Sequence, residues 1–287
     1  MQSMSCRRLY PIAYPIWSPA IRAVAAVLDD KSLLELCLKV SGRFENSTGP
    51  TYTTVSGNFD GQGISCGILQ WNAGQNTLQT LVTKTAAATG WDKAKSFFSS
   101  DIQAFAGLRN ADAVAWCLNH YIQAGTTHVD PAAAARWVNF LQQPECVAAQ
   151  ISLATNGVLG HAKREVAAYA PDYADSERPY VFFFDLITQE GGMTVGHHTV
   201  PPVPAGLVPD VSDALALAQA NSPRCHDIWQ ANLTGDNEAA LLLHYAYARA
   251  MLAKQLYVWD ACSRRGTVAC RAGIVHGSYI DLTAILD

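Results

Sequence analysis

Residues 41–72 read SGRFENSTGPTYTTVSGNFDGQGISCGILQWN. Upstream, Leu33, Leu34, Leu36, Cys37 and Val40 recur at the spacing that covers one face of a helix, and Gly42 predicts its end. This places Glu45 just beyond a helix terminus. The run Asn46, Ser47, Gly49, Pro50, Ser56, Gly57 and Asn58 cannot continue a helix and predicts a surface loop that closes at Asp60. Ile64, Cys66, Ile68 and Trp71, interleaved with Gly61, Gly63 and Gly67, then predict a short hairpin whose glycines admit close approach of another chain.

Two carboxylates held at a helix end and at a hairpin suit one kind of chemistry. Cleaving a glycosidic bond takes one carboxylic acid to protonate the leaving oxygen and one carboxylate to activate water or attack the anomeric carbon. Glu45 follows Phe44 and an apolar helix, surroundings that would keep a carboxyl protonated. Asp60 lies among glycines and polar groups that would leave it ionised. Spacing alone is equally compatible with a solvated glutamate and a turn aspartate.

Motifs narrow the choice. GRFE at 42–45, GNFDGQGISCGILQWN at 57–72 and GQNTLQTLV at 74–82 resemble the catalytic region of lysozyme-superfamily glycoside hydrolases, in particular bacterial peptidoglycan-hydrolase-like proteins related to the chitosanase branch. A second patch, SRRGTVA at 263–269 followed by GIVHG at 273–277, resembles their C-terminal part. The resemblance implies Glu45 as general acid, Asp60 as general base and Ser65 as a hydroxyl that helps hold the attacking water. It also implies Gln62 and Gln70 in the sugar groove. The carboxyls of an inverting enzyme stand roughly 6.5–9.5 Å apart, and inversion is expected here.

Tyr52 and Trp71, near the two carboxylates, could stack on sugar rings, and Trp71 could equally be core. Arg264 and Arg265 read either as a solvated basic turn or as guanidinium forks for carboxylates, and Arg265 is assigned to substrate binding. Glu190 before Gly191-Gly192 reads as the last residue of a helix rather than an acid catalyst. Cys66 with His120 or His161 would make a cysteine peptidase, although packing beneath the groove explains Cys66 as well.

Composition excludes several classes. Of 287 residues, 49% are hydrophobic and 15% charged, which is neither disordered nor suited to nucleic acid, and the net charge of −4 supplies no basic footprint. The eight cysteines form no zinc motif; most read as small buried residues, with Cys262 and Cys270 able to close a short loop if oxidised. His197, His198 and His276 lack partners at ligand spacing, so no metal or cofactor is expected. No apolar run is long enough to span a membrane. Arg7 and Arg8 before an apolar stretch superficially resemble a signal peptide, against which stand Pro11, Pro15, Pro19 and Arg22.

The expected architecture is α+β and mainly α-helical: an arm over residues 1–28, then one lysozyme-like catalytic domain over 29–287. Two helical lobes of about 29–175 and 176–287 would flank a groove lined by the small hairpin. Helices are predicted over 76–89, 91–106, 110–124, 131–141, 144–170, 180–189, 211–221 and 237–261, with 191–209 an irregular connection that could serve as a hinge.

The expected activity is hydrolysis of β-1,4 bonds in peptidoglycan or a related amino-sugar polymer. The alternatives are a chitosanase, which would need several further carboxylates, and a noncatalytic glycan-binding protein. Proteins with such a region are often secreted antibacterial toxins, so a secretion-system carrier, an immunity partner and action in the periplasm or cell wall of a target bacterium are expected by analogy.

Overall fold

The structure, a computed structural model, describes residues 28–45, 51–98 and 101–286, with Glu45 described in its backbone alone. Nearly all of the N-terminal arm therefore lies outside the described residues. The described residues are mainly α-helical with three small antiparallel sheets. It forms two compact units. One is Ser41–Gly160, and the other combines the described residues before Ser41 with those from His161 onward. The break between these units falls at 160, where the expected lobes divide near 175, and the residues of the first helix before Ser41 belong with the later helices rather than with their sequence neighbours.

Helix α1 (Asp30–Glu45) starts where Asp29 Oδ1 accepts the backbone N–H groups of Lys31 and Ser32 at 2.9 and 3.0 Å, and it buries Leu33, Leu34, Cys37 and Val40. It runs through Gly42 and ends at Glu45, so Glu45 is the last helical residue rather than the first loop residue.

In the unit of residues 41–160, strands β1 (Val55–Ser56), β2 (Ser65–Cys66) and β3 (Trp71–Asn72) form one antiparallel sheet with β2 central. Around it stand α2 (Thr77–Thr89), α3 (Trp91–Lys95), α4 (Ile102–Gly107), α5 (Asn110–His120), α6 (Pro131–Leu141) and α7 (Pro144–Leu153). The helix expected over 91–106 is two short pieces, the second capped by Asp101, which accepts from Gln103 and Ala104. Asp130 caps α6 by accepting from Ala133 N at 2.9 Å, with Pro131 in the first turn, as its sequence predicts. Phe98, Phe105, Tyr121, Trp137 and Phe140 fill the core with edge-to-face pairs.

A π-helical segment, Ala154–Leu159, leads into α8 (Gly160–Tyr169). The second unit continues through α9 (Arg178–Glu190), the hairpin β4 (Thr194–Val195) and β5 (His198–Thr199), then α10 (Ser212–Asn221) and α11 (Pro223–Asn232). It closes with α12 (Asn237–Ala250), α13 (Val258–Ala269) and the hairpin β6 (Ala272–Val275) and β7 (Ser278–Asp281). The apolar run of α9 is a buried helix, with Val181, Phe182, Phe183, Phe184 and Leu186 all sealed from solvent.

Three expectations are corrected here. Residues 191–209 lie wholly inside this unit and hold a hairpin, so they are no hinge between units. The helix expected over 237–261 breaks after Ala250 and restarts as α13, which carries Arg264 and Arg265 as buried helical residues rather than a turn. Gly266 is helical as well: a Cβ there would come 2.2 Å from the Trp229 ring, so the glycine makes room for the α11 tryptophan. Cys262 and Cys270 are both free, as are the other described cysteines. No helix among the described residues is long and apolar enough to cross a membrane.

Candidate active site

Pairing in the small sheet sorts its side chains. Ser56 pairs with Ser65, which pairs with Asn72; Val55 pairs with Cys66, which pairs with Trp71. Directly paired residues share a face of a sheet. One face is therefore apolar and belongs to the core, with Cys66 fully buried and Trp71 8% exposed, and the other carries Ser65 between Ser56 and Asn72.

The turn before β2 is tied down by its own polar groups. Asn58 Oδ1 accepts from Gly63 N at 2.7 Å, and Asp60 Oδ1 accepts from Gln62 N at 3.0 Å. Gly63, at φ +82°, packs so closely that a Cβ would lie 3.2 Å from Ala73 and Cys117. The turn also leans on its neighbours through Asn58 N, which donates to Thr127 O at 2.8 Å, and Gly74 N, which donates to Gln62 O at 2.9 Å. Asp60 is exposed at this fixed turn, five positions before Ser65 on the central strand.

Beyond β2 the hairpin is anchored to α7. Fully buried Gln150 accepts from Ile68 N at 3.0 Å and donates to Tyr52 O at 3.1 Å. Gln70 holds the left-handed conformation at φ +53° and is half-buried.

The structure thus gathers Asp60, Gln62, Ser65, Gln70, Trp71 and Tyr52 about one three-stranded sheet in the unit of residues 41–160, to which the end of α1 with Glu45 also belongs. Trp71 belongs to the core, which corrects its assignment to sugar stacking. One residue that the motif does not single out is Phe59, 64% exposed beside Asp60. Its signal is an aromatic side chain inside a run of turn formers, where no helical or strand period asks for one.

Arg265 lies in the other unit and is 2% exposed. Its Nη1 contacts Glu190 Oε1 at 2.5 Å and donates to Ala261 O at 3.0 Å, while Glu190 also pairs with Arg249 at 2.8 Å. Arg264 grips fully buried Asp185, with Nε donating to Oδ2 at 2.9 Å and Nη2 to Oδ1 at 2.8 Å. These guanidinium groups are occupied by carboxylates of the protein, so neither is a solvated turn, and Arg265 is corrected from a substrate fork to a buried ion-pair partner. A cavity of about 370 Å³ adjoins them, lined by Arg249, Lys254, Arg264 and Arg265 beside Glu190 and Asp260. Cations outnumber carboxylates there, so this cavity does not supply the further carboxylates expected of a chitosan groove.

Cys66 does not form a nucleophile. Burial pushes its thiol well above the ordinary range, and His120 Nδ1 is bonded to Trp116 O at 2.9 Å while its ring stacks on Trp116 at 4.0 Å. His197 and His198 are exposed, and His276 pairs with Asp260 at 2.7 Å. Among the described residues, no group of three or more histidine, cysteine or carboxylate side chains is placed to hold a metal ion.

No protein-family model matches the chain, and no curated protein matches it in sequence. Solved structures match its fold. A chitosanase complex is 16% identical with a TM-score of 0.54, over 90% of this chain and 100% of the other. A chitosanase co-crystallised with substrate is 15% identical with a TM-score of 0.52, again over 90% and 100%. The sequence reading that made peptidoglycan the substrate is corrected by these likenesses, both to chitosanases. The cell-wall, antibacterial, toxin and bacteriolytic readings are corrected with it. What the likeness shows is the fold of those chitosanase structures, mainly α-helical with small β elements.

Proposed function

We propose that the chain is a glycoside hydrolase acting on the β-1,4 bonds of a chitosan-like amino-sugar polymer. The supporting observation is Asp60, exposed on a turn fixed by Asn58 and Gln62 and followed five residues later by Ser65 on the central strand, in a chain with a chitosanase-like fold. Glu45, at the end of α1, protonates the glycosidic oxygen. Asp60 takes a proton from a water held with the help of Ser65, and that water attacks the anomeric carbon from the opposite face. Gln62 and Gln70 offer amide groups to sugar hydroxyls from the same hairpin.

The test is hydrolysis of soluble chitosan, followed by new reducing ends. Glu45→Gln and Asp60→Asn should each lower the rate by about 10²-fold or more, the scale of a lost acid or base. Fresh products should carry the α configuration, as inversion requires. Full activity in both variants sinks the proposal, and binding without cleavage by the wild type replaces it with a noncatalytic glycan-binding role.

A further inference from the structure

We infer that Phe59 is a sugar-stacking residue of the Asp60 site; the inference rests on the function proposed above and adds the contact that holds the ring. Phe59 is 64% exposed, while the other described phenylalanines are buried or half-buried. Its exposure does not come from a loose loop. A Cβ on Gly57 would lie 2.0 Å from Thr127 O, so the chain before Phe59 is pressed against the 123–128 turn, and Asn58 N donates to Thr127 O at 2.8 Å. On the other side Asn58 Oδ1 holds Gly63 N at 2.7 Å.

Among the described residues the ring meets the aromatic ring of His128, edge-to-face at 5.4 Å. His128 belongs to the same 123–128 turn, where its carbonyl accepts from Gln123 N at 2.9 Å. Phe59 therefore presents fixed aromatic surface to solvent, with its Cα about 3.8 Å from that of Asp60.

A pyranose ring is amphipathic: its hydroxyls lie at the edge and its C–H groups form an apolar face. Water leaves both that face and the aromatic ring when they meet, and an ammonium on the sugar is attracted to the ring besides. Phe59 is the exposed aromatic surface next in chain to the proposed base; of the two aromatic residues expected in this role, Trp71 is in the core and Tyr52 is half-buried.

The experiment measures binding of a glucosamine hexamer by calorimetry in an Asp60→Asn background. This keeps the oxygen that accepts from Gln62 N while blocking cleavage. Adding Phe59→Ala should weaken binding about three- to tenfold, the scale of one aromatic contact. Phe59→Trp should restore it, and thermal unfolding should not move, since the removed ring is largely in solvent. Equal affinity with and without the ring, or no rescue by tryptophan, overturns the inference while chitosan cleavage lost on Asp60→Asn leaves the proposed function standing. A wild type that neither cleaves chitosan nor binds the hexamer overturns both.

Discussion

The side chain of Gln150 fills the space that a side chain at Gly67 would need: a Cβ on Gly67 would come 2.4 Å from Gln150 Oε1. The same amide closes two hydrogen bonds to the hairpin, from Ile68 N and to Tyr52 O. Gln150→Leu strands both part-buried backbone groups and should cost roughly 1–3 kcal/mol in urea unfolding. Gly67→Ala, at φ +78°, should also destabilise, and less so once Gln150 is shortened to Ala, because the clash is then relieved. Additive losses in that double-mutant cycle would show that the contact is not the cause.

Asp185 and Arg264 are a buried pair and should behave as one. Asp185→Ala leaves an uncompensated buried guanidinium and should cost about 3–5 kcal/mol. Replacing both residues with leucine should recover part of that loss, since the Arg264 guanidinium is then gone and Arg265, which also lies 3.9 Å from Asp185 Oδ2, keeps Glu190. Chemical denaturation of the two variants checks this, and a double variant weaker than the single would refute it.

Much of this architecture is legible in local sequence, and what is not has a common cause. Asp130-Pro131 and Asp236 announce their helices because a cap acts within three residues. The apolar run at 181–187 marks a buried element on composition alone. Arg264 and Arg265 look like a solvated turn because their partner Asp185 lies 79 residues from Arg264. Gly42 and Gly266 suggest breaks, yet both sit inside helices, and at Gly266 the reason is Trp229, far away in sequence. Helix α11 escapes a reading by periodicity because only Cys225 and Trp229 are buried on it, too few for a period to show. At the site, the residues of the hairpin are legible as a motif. That Trp71 faces the core while Phe59 faces solvent depends on strand register and on the Thr127 contact, which the motif does not encode.

Thiol reactivity follows from burial. Burial pushes Cys146 and Cys225 up to about 11 and Cys117 and Cys262 up to about 12. It also raises Cys37, Cys66 and Cys270, the last even though the Arg178 charge nearby acts the other way. A thiol reagent at about pH 8 should therefore label none of these seven in the native protein and all of them in denaturant, with peptide mass mapping to identify the sites. Rapid native labelling of Cys66 would reopen the cysteine-nucleophile reading. Peptides of Cys262 and Cys270 recovered as one linked species, resistant to labelling until reduced, would reveal a bridge between them.

His244 gives the stability a dependence on pH. Burial lowers its pKa from 6.5, and the hydrogen bond to the Asp210 backbone and the Asp210 charge, which act upward, do not offset it. The unfolded chain then binds a proton at a pH where the folded chain does not, so acidification favours unfolding. The contribution of His244 is complete above 6.5 and shrinks as the pH falls from there toward the lower folded value. Urea unfolding at about pH 8 and about pH 5.5 should show a loss of stability on acidification that is smaller in His244→Gln, which cannot take up the proton. Equal losses in the two proteins would mean that the imidazole is protonated as readily in the fold as outside it, and that its place beside Asp210 stabilises the charge as much as burial opposes it.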